Sequence, residues 1–242
     1  MKRATIFSAF TLLCIVVLTG GCTKKSGKEV ALEQNDLSNK AFVQIYNATV
    51  NSTGATNVFI DARQVTGASL TFGTAFPSSA AGFVVDAGLR SFSIRSSSAT
   101  PVQVPINFVE NFDMKKNYTI FMYDTTTAAK QKTVVTNIVI PSDSTARVRF
   151  ANFIYNNGVP PPVDVFSKVR NANIFTNVAT TEVTEFIPYA SSLSDTLLVR
   201  ETGTNVVLAT LNGFNPTRKR SYTVVYRGSY RGTRAVSAFA NN

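Results

Sequence analysis

Beyond residue 40, short runs rich in Val, Ile, Phe, Tyr and Thr are separated by clusters of Gly, Pro, Asn and Ser. Runs of this composition, spaced by roughly 8–12 residues and bounded by turn residues, are typical of β-strands in sandwiches and barrels. No window outside the amino-terminal segment supports a helix of ordinary length. The pattern predicts an all-β protein. Its candidate strands in the first part of the chain are residues 42–48, 57–61, 83–86, 92–96, 102–108, 117–124 and 134–140.

The pattern then repeats about 105 residues later along the chain. The segment "VQIYNA" at 43–48 is echoed by "VRFANF" at 148–153, and "KKNYTIFMY" at 115–123 by "RKRSYTVVY" at 218–226. This period is close to the length of one immunoglobulin-sized sandwich. We therefore predict two tandem immunoglobulin-like antiparallel β-sandwich domains, at 41–141 and 146–242, joined by a linker at 142–145.

The amino-terminal segment has the layout of an export signal. Lys2 and Arg3 precede an apolar run, which ends in two glycines directly before Cys22. This resembles a bacterial lipoprotein signal, which implies removal of residues 1–21 and acylation of Cys22. Residues 22–40 then form the lipidated cysteine and a flexible tether, and the lipid would hold the protein in the outer membrane, facing the periplasm or the cell surface. An ordinary secreted or membrane-anchored start is the alternative.

Cysteine usage and charge limit the chemistry further. The other cysteine, Cys14, lies within the predicted signal, so no disulfide is expected in the mature protein. The formal net charge is +10. An exported, lipid-anchored chain would not meet nucleic acid, so we do not predict that partner. The excess charge predicts either solvated strand edges or a surface for an anionic glycan, lipid headgroups or an acidic envelope protein. After Glu201 there is no acid, and the basic residues are Arg218, Lys219, Arg220, Arg227, Arg231 and Arg234.

The chain contains no histidine, which excludes Ser-His-Asp triads, Cys-His pairs and histidine-containing zinc sites. Serine lies near lysine at 38–40 and 167–168, and Glu182 and Glu185 lie three residues apart. We interpret all of these as structural positions. No cofactor, metal or catalytic residue is predicted, although a calcium site assembled from separate loops stays open. Two function classes follow: a non-catalytic binding or structural module for a glycan, peptide or envelope partner, and a carboxylate-dependent hydrolase acting on polysaccharide.

The segment with most binding content is "YTVVYRGSYRGTR" at 222–234. Its glycines and flanking apolar runs predict a β-hairpin. Tyrosine and arginine can stack on sugars and donate hydrogen bonds to carboxylates or sulfates. Arg227, Tyr230 and Arg231 are therefore the candidate ligand-binding residues, and we expect them to be exposed.

Several segments together resemble the bacterial domain-of-unknown-function family 4397. They are the opening strand "ARVRFANF", the segment "VDVF", the aromatic-aliphatic segments "FIPYAS" and "FVVDAG", and the late strand "YTVV". The resemblance covers the mature chain twice and implies strands and turns, with no activity attached. Asn57 stands where the second copy has Asp164, and Ser191 stands where a glycine like Gly88 is expected. A ligand role shared by both copies is therefore not expected at these positions.

Overall fold

The structure, a computed structural model, describes residues 36–65, 70–78, 82–97, 103–191 and 193–241. The first half contains the strands β1 (Lys40–Asn47), β2 (Thr56–Ile60), β3 (Arg63–Gln64), β4 (Ala75–Phe76), β5 (Phe83–Asp86), β6 (Gly88–Ser96), β7 (Ile106–Phe112), β8 (Asn117–Tyr123) and β9 (Lys130–Val135). The second half contains β10 (Ala146–Tyr155), β11 (Val163–Ser167), β12 (Ala172–Val178), β13 (Ile187–Tyr189), β14 (Asp195–Glu201), β15 (Val207–Phe214), β16 (Ser221–Ser229) and β17 (Arg234–Ala240).

Each half forms two sheets in the same arrangement. The inner sheets have the orders β4–β1–β8–β9, with β5 also paired to β1, and β13–β10–β16–β17. The outer sheets have the orders β3–β2–β6–β7 and β12–β11–β14–β15. Within the described residues, every strand pairs inside its own half. The chain from residue 36 onward nevertheless forms one compact unit, so the predicted division into domains at 41–141 and 146–242 stays a prediction.

The predicted all-β sandwich class is confirmed, with one difference in strand direction. The sheets are mainly antiparallel, but β1 pairs with β8 in parallel and β10 pairs with β16 in parallel. A parallel pair needs a long crossover connection between its strands. The strands of the outer sheet, which lie between the two partners in sequence, provide that crossover in each half.

Two predicted strands are displaced along the chain. The strand expected at 102–108 begins at Ile106, directly after Pro105, which has no backbone N–H to donate to a ladder. The strand expected at 134–140 ends at Val135. Its antiparallel partner β8 begins at Asn117, whose carbonyl accepts the N–H of Thr136. Because β8 does not extend beyond Asn117 in that direction, the chain has no β8 partner after Thr136, and Ile140 is exposed.

Each half has its own apolar core between its inner and outer sheets. The core of the first half includes Val43, Ile94 and Ile120, and the core of the second half includes Phe150, Val199 and Val224. These side chains come from alternate positions along their strands, as expected for a sheet that buries one face. Each fully buried side chain of this size contributes about 1.5–3 kcal/mol to stability.

A third apolar core joins the two inner sheets to each other. Phe121 of β8 stacks on Phe153 of β10 with ring centroids 4.5 Å apart, and Tyr46 of β1 stacks on Phe239 of β17 at 5.3 Å. The central strands of both inner sheets therefore bury both of their faces, as the unbroken buried run from Val148 to Ile154 shows. The sheets stack in four layers, with the two inner sheets in the middle.

A polar network crosses this third core, and Arg149 is its central residue. The guanidinium donates from Nε to the Thr223 hydroxyl at 2.9 Å, and from Nη2 to the hydroxyls of Thr119 and Thr136 at 2.9 and 3.0 Å. The residue is 2% exposed and its guanidinium lies 4.8 Å from the ring centre of Phe186. Burial lowers the pKa of Arg149 to about 9, so the side chain stays charged at neutral pH.

The contacts between the halves come in matched pairs. Asn241 follows β17 and donates to Gln44 of β1 at 2.9 Å, while Thr136 follows β9 and accepts from Arg149 of β10 at 3.0 Å. Gln44 and Arg149 occupy equivalent positions of the two copies, one residue after Val43 and Val148. The two inner sheets therefore meet through an approximately twofold-symmetric interface.

Candidate functional site

The predicted hairpin is present, because β16 and β17 are antiparallel neighbours joined by the turn at 230–233. Arg227, however, points into the interface between the halves. Its Nε donates to the Tyr46 hydroxyl at 2.8 Å, and its guanidinium lies 4.8 Å from the ring centre of Phe72. The expectation that Arg227 is exposed is therefore wrong, since packing and a hydrogen bond hold it between the two halves.

The other two hairpin residues have different surroundings. Tyr230 is half-buried and packs against the core of the second half, with the Arg234 guanidinium 5.9 Å from its ring centre. The exposure expected for Tyr230 is thus also wrong, because the turn folds it back onto the sheet. Arg231 is exposed as expected. The ligand-binding role of Arg227, Tyr230 and Arg231 stays a prediction.

A pocket opens instead at one end of the second half, where three segments meet. Its volume is about 590 Å³. We call it the second end pocket. It is lined by Ser144, Thr145, Ala190, Ser191, Asn215, Pro216, Thr217 and Arg218. No carboxylate belongs to this lining, which offers hydroxyls, one amide and one guanidinium.

Local hydrogen bonds hold the three segments in place. The backbone N–H of Thr217 donates to the Tyr222 hydroxyl at 3.0 Å. Lys219 has a positive φ of 61°, and its N–H donates to the Thr145 carbonyl at 2.8 Å. The Ser191 hydroxyl donates to the Ser144 carbonyl at 2.6 Å. A backbone group takes part in each of these bonds, and none of them uses a side chain of the turn at 215–220. The side chains of that turn are therefore free to face a ligand.

The charge around the second end pocket is positive. Arg218, Lys219 and Arg220 are consecutive and exposed, and none of the ion pairs among the described residues involves them. Asp143, the neighbour of Ser144 in the chain, accepts hydrogen bonds from the hydroxyl and the N–H of Thr145. These bonds lower the pKa of Asp143. The Asp143 carboxylate therefore interacts with its own loop, and the basic triplet has no carboxylate partner in the part of the chain that the structure describes.

An equivalent pocket lies at the same end of the first half, and its charge is different. It has a volume of about 460 Å³ and its lining includes Asp86, Gly88, Arg90 and Asp113. The Asp113 N–H donates to a tyrosine hydroxyl at 2.9 Å, as Thr217 does in the second half. The pockets thus share their architecture, but the first carries two carboxylates and the second carries none. The expectation that the copies do not share a ligand role at positions 88 and 191 stays a prediction.

The first half also brings two carboxylates to one cleft, the arrangement a hydrolase would need. Asp61 and Asp86 line a second cleft of about 330 Å³ on either side of Arg90. The pKa of Asp61 is lowered by the Ser91 N–H and by Arg90, and that of Asp86 by its contact with Lys40. A retaining or inverting glycosidase needs one carboxylic acid with a raised pKa to protonate the leaving group. This pair does not meet that requirement, since both carboxylates are held ionised.

The remaining candidate acids and nucleophiles have structural surroundings. Ser167 is fully buried and donates to Asp195, which also accepts from the Tyr189 hydroxyl and from the backbone N–H of Val169 at 3.0 Å. Asp195 is 2% exposed. Burial alone would raise its pKa, but these hydrogen bonds together lower it. The predicted structural interpretation of Ser167 is confirmed, because its hydroxyl has no access to solvent.

Asp164 is a second satisfied buried carboxylate. It accepts from the N–H groups of Asn177 and Gly203 at 2.8 and 3.3 Å, and from the Thr202 hydroxyl at 3.0 Å. It therefore ties the end of β12 to the turn that follows β14. Glu182 and Glu185, by contrast, are exposed between β12 and β13.

Other sequence-based expectations concern metals and the membrane. In the part of the chain that the structure describes, no group of three or more acidic, histidine or cysteine side chains is placed to hold a metal ion. The described residues also include no helix long and apolar enough to cross a bilayer. Cys22 and the predicted signal and tether up to residue 35 lie outside the described residues, so their roles stay predictions.

No protein-family model and no curated protein matches the chain. Two of the solved structures that match the chain, both with low TM-scores, are carbohydrate-binding modules. One is the family 26 carbohydrate-binding module of Eubacterium rectale Amy13K in complex with maltoheptaose, with a TM-score of 0.28 and 6% identity over 84% of this chain and 97% of that chain. The other is a family 41 carbohydrate-binding module from streptococcal virulence factors that recognises α-glucan, with a TM-score of 0.25 and 10% identity over 83% of this chain and 97% of that chain.

Proposed function

We propose that this chain is a non-catalytic binding protein of the cell envelope, and that the second end pocket binds an acidic glycan. The observation that carries the proposal is the lining of this pocket. Hydroxyls, an amide and Arg218 converge there without a carboxylate, next to the exposed Lys219 and Arg220. The pocket volume of about 590 Å³ lies within the range of roughly 300–1,000 Å³ that small-molecule sites occupy.

The chemistry of the pocket favours a sulfated or carboxylated sugar over a neutral one. A guanidinium makes paired, charge-assisted hydrogen bonds with planar or tetrahedral oxyanions. The Thr217 hydroxyl can donate to a remaining oxygen of the ligand. The hydroxyls of Thr145 and Ser191, whose protons are donated to Asp143 and to the Ser144 carbonyl, can accept from sugar hydroxyls. The basic triplet would also raise the rate of association with a polyanion, and that effect would weaken with salt.

The alternative function, hydrolysis of polysaccharide by a carboxylate pair, has less support. Asp61 and Asp86 share one cleft, and Asp86 and Asp113 share the end pocket of the first half. The lowered pKa of Asp61 and of Asp86 disfavours a role of either as general acid at neutral pH. The binding function requires no such group.

We also propose that acylated Cys22 anchors the protein in the outer membrane. The support is the order of charged, apolar and small residues that ends directly before this cysteine. Radiolabelled palmitate supplied to expressing cells should enter the wild-type protein and not Cys22→Ser. Equal labelling of both proteins would contradict lipidation at this position.

The glycan proposal is tested by calorimetric titration of the purified full chain, in mild detergent, with a sulfated, a carboxylated and a neutral oligosaccharide. Arg218→Ala should weaken binding of one acidic probe by at least tenfold, because it removes the only cation of the pocket lining. Raising the salt concentration should weaken wild-type binding.

Arg231→Ala is the matched control, since it removes one exposed arginine from the hairpin of the same half. It should bind like the wild type. If Arg231→Ala loses binding while Arg218→Ala keeps it, the hairpin rather than the end pocket is the site. If neither acidic probe binds the wild type, the proposed function is wrong.

A further inference from the structure

A further cleft lies at the junction between the two halves, on one side of the interface, and we call it the junction cleft. It has a volume of about 200 Å³. The first half contributes the end of β8 and the start of β9, while the second half contributes the end of β10 and two loops. Its lining consists of Tyr123, Asp124, Lys130, Phe153, Ile154, Tyr155, Asn156, Gly158, Pro160, Thr180 and Thr181.

The approximate symmetry of the interface relates this cleft to the position of Arg227. In the parallel pairs, Tyr123 follows Met122 opposite Asn47, and Arg227 follows Tyr226 opposite Asn152. Tyr123 and Arg227 are therefore equivalent residues of the two copies.

The segments facing these two residues are also equivalent. Gly73 donates its N–H to the Asn47 carbonyl at 2.7 Å, and Thr181 donates its N–H to the Asn152 carbonyl at 2.6 Å. Arg227 lies so close to Gly73 that a Cβ there would be 2.3 Å from Nη2. The guanidinium fills its side of the junction, whereas Tyr123 leaves the equivalent side open.

On the open side, an ion pair between Lys130 and Asp124 lies near the phenol groups of Tyr123 and Tyr155. Lys130 Nζ lies 2.7 Å from a carboxylate oxygen of Asp124, whose side chain is 17% exposed while that of Lys130 is 59% exposed. The hydrogen bond and charge of Asp124 raise the pKa of Lys130, and the nearby Tyr123 and Tyr155 phenols add to this effect. The cleft therefore combines a fixed acceptor and a cationic donor with little net charge.

The cleft also contains a hydroxyl that has no partner among the described residues. The Thr180 Oγ1 atom is buried and makes no hydrogen bond there. A buried hydroxyl without a partner costs about 1–3 kcal/mol, and rotation of the Thr180 side chain toward the cleft would let a ligand hydroxyl offset that cost. Aromatic rings at the other wall, with Tyr123 and Phe153 at 5.3 Å between centroids, present apolar faces of the kind on which sugar C–H groups pack.

From this geometry we propose that the junction cleft binds one terminal pyranose ring of an uncharged glycan. Ring hydroxyls would donate to Asp124 and accept from Lys130, and the apolar face of the ring would contact Tyr123 or Tyr155. An uncharged sugar fits because the two charged groups neutralise each other. A single ring fits because the volume of about 200 Å³ is below the roughly 300 Å³ at which pockets for larger ligands begin. This site is independent of the second end pocket.

The test is saturation-transfer NMR on the purified full chain in mild detergent, with a panel of methyl pyranosides that carry no charge. One or more members should show transfer to ring protons on one face. Binding should weaken by at least tenfold in Lys130→Met and in Asn156→Ala, which change polar groups of the lining. Tyr123→Arg should abolish binding, because it places in the cleft the side chain that fills the equivalent side.

Far-ultraviolet circular dichroism and urea unfolding of each variant establish that the fold is retained. Arg218→Ala is the control for the other pocket and should bind the pyranoside like the wild type, so failure of the two proposals can be told apart. Absence of transfer to every pyranoside overturns the proposal. So does wild-type affinity in both Lys130→Met and Asn156→Ala.

Discussion

The buried guanidinium of Arg149 allows a sharp prediction about the interface between the halves. Arg149→Ala should lower the free energy of unfolding by about 3 kcal/mol, whereas Arg149→Met should stay within about 1 kcal/mol of the wild type. In both variants the three hydrogen bonds and the desolvation cost of the charge disappear together, and these opposing contributions are each several kcal/mol. The hydroxyls left behind keep partners, because Thr119 and Thr136 lie 2.7 Å apart and Thr223 lies 2.7 Å from Asn241.

The two variants therefore differ mainly in packing. Alanine lacks the three heavy atoms with which methionine occupies the space of the arginine stem, at about 0.8 kcal/mol for each methylene-sized group plus the cost of the larger cavity. Urea unfolding of the purified chains, followed by circular dichroism, measures the difference. If Arg149→Met is as unstable as Arg149→Ala, the hydrogen bonds of the guanidinium outweigh its desolvation and the reasoning is refuted.

The lowered pKa of Arg149 adds a pH dependence with a definite sign. The unfolded chain holds the proton to a higher pH than the folded chain, whose Arg149 pKa is about 9. Stability rises with pH wherever the unfolded state binds more protons. The wild type should therefore gain stability relative to Arg149→Met between pH 8 and pH 10, and a constant or shrinking difference would contradict this.

Three further predictions concern single positions. Asp195→Asn should lower the free energy of unfolding by about 2–3 kcal/mol at pH 7, because the donors that now face a carboxylate would then face an amide. Since the folded pKa of Asp195 is lowered, the wild-type advantage should be present above about pH 4 and disappear as the pH falls. Urea unfolding at several pH values would detect this change. Gly73→Ala should cost about 2 kcal/mol, because φ is 79° and Arg227 occupies the Cβ position; in an Arg227→Ala background only the backbone strain of about 1 kcal/mol should remain, and an unchanged cost would argue against the contact. Phe153→Ala should cost about 3–5 kcal/mol by removing the stack on Phe121, and a loss below 1 kcal/mol in thermal or urea unfolding would show that the third core contributes little.

The sequence predicted the strand content and the repeat because both depend on local composition and on a fixed period. It also contained a signal for the third core that the strand assignments did not use. In the run from Thr119 to Met122 and in the run from Phe150 to Ile154, apolar residues do not alternate with polar ones. Such runs indicate strands that are covered on both faces, and the structure buries both segments completely.

The candidate sites could not be predicted in the same way. Ser144, Ser191 and Arg218 lie in three loops far apart in sequence, and only the topology brings them to one pocket. Arg227 was an attractive binding residue because of its neighbours Tyr230 and Arg231, but charge and composition do not show which face of a strand another sheet covers. The parallel pairing of β1 with β8 was likewise missed, since strand direction depends on the crossover and leaves no mark in either strand.

The presence of both copies in a single polypeptide has a consequence for the two sides of their shared interface. If the same sheets met as two identical chains, any substitution at the position of Tyr123 would also occur at its symmetry mate, and both sides would open or close together. Within one chain, the two positions are encoded separately and can change independently. One side carries an arginine that seals it, and the other carries a tyrosine that leaves it open. Covalent linkage of the copies thus permits one side to specialise in cohesion and the other in recognition.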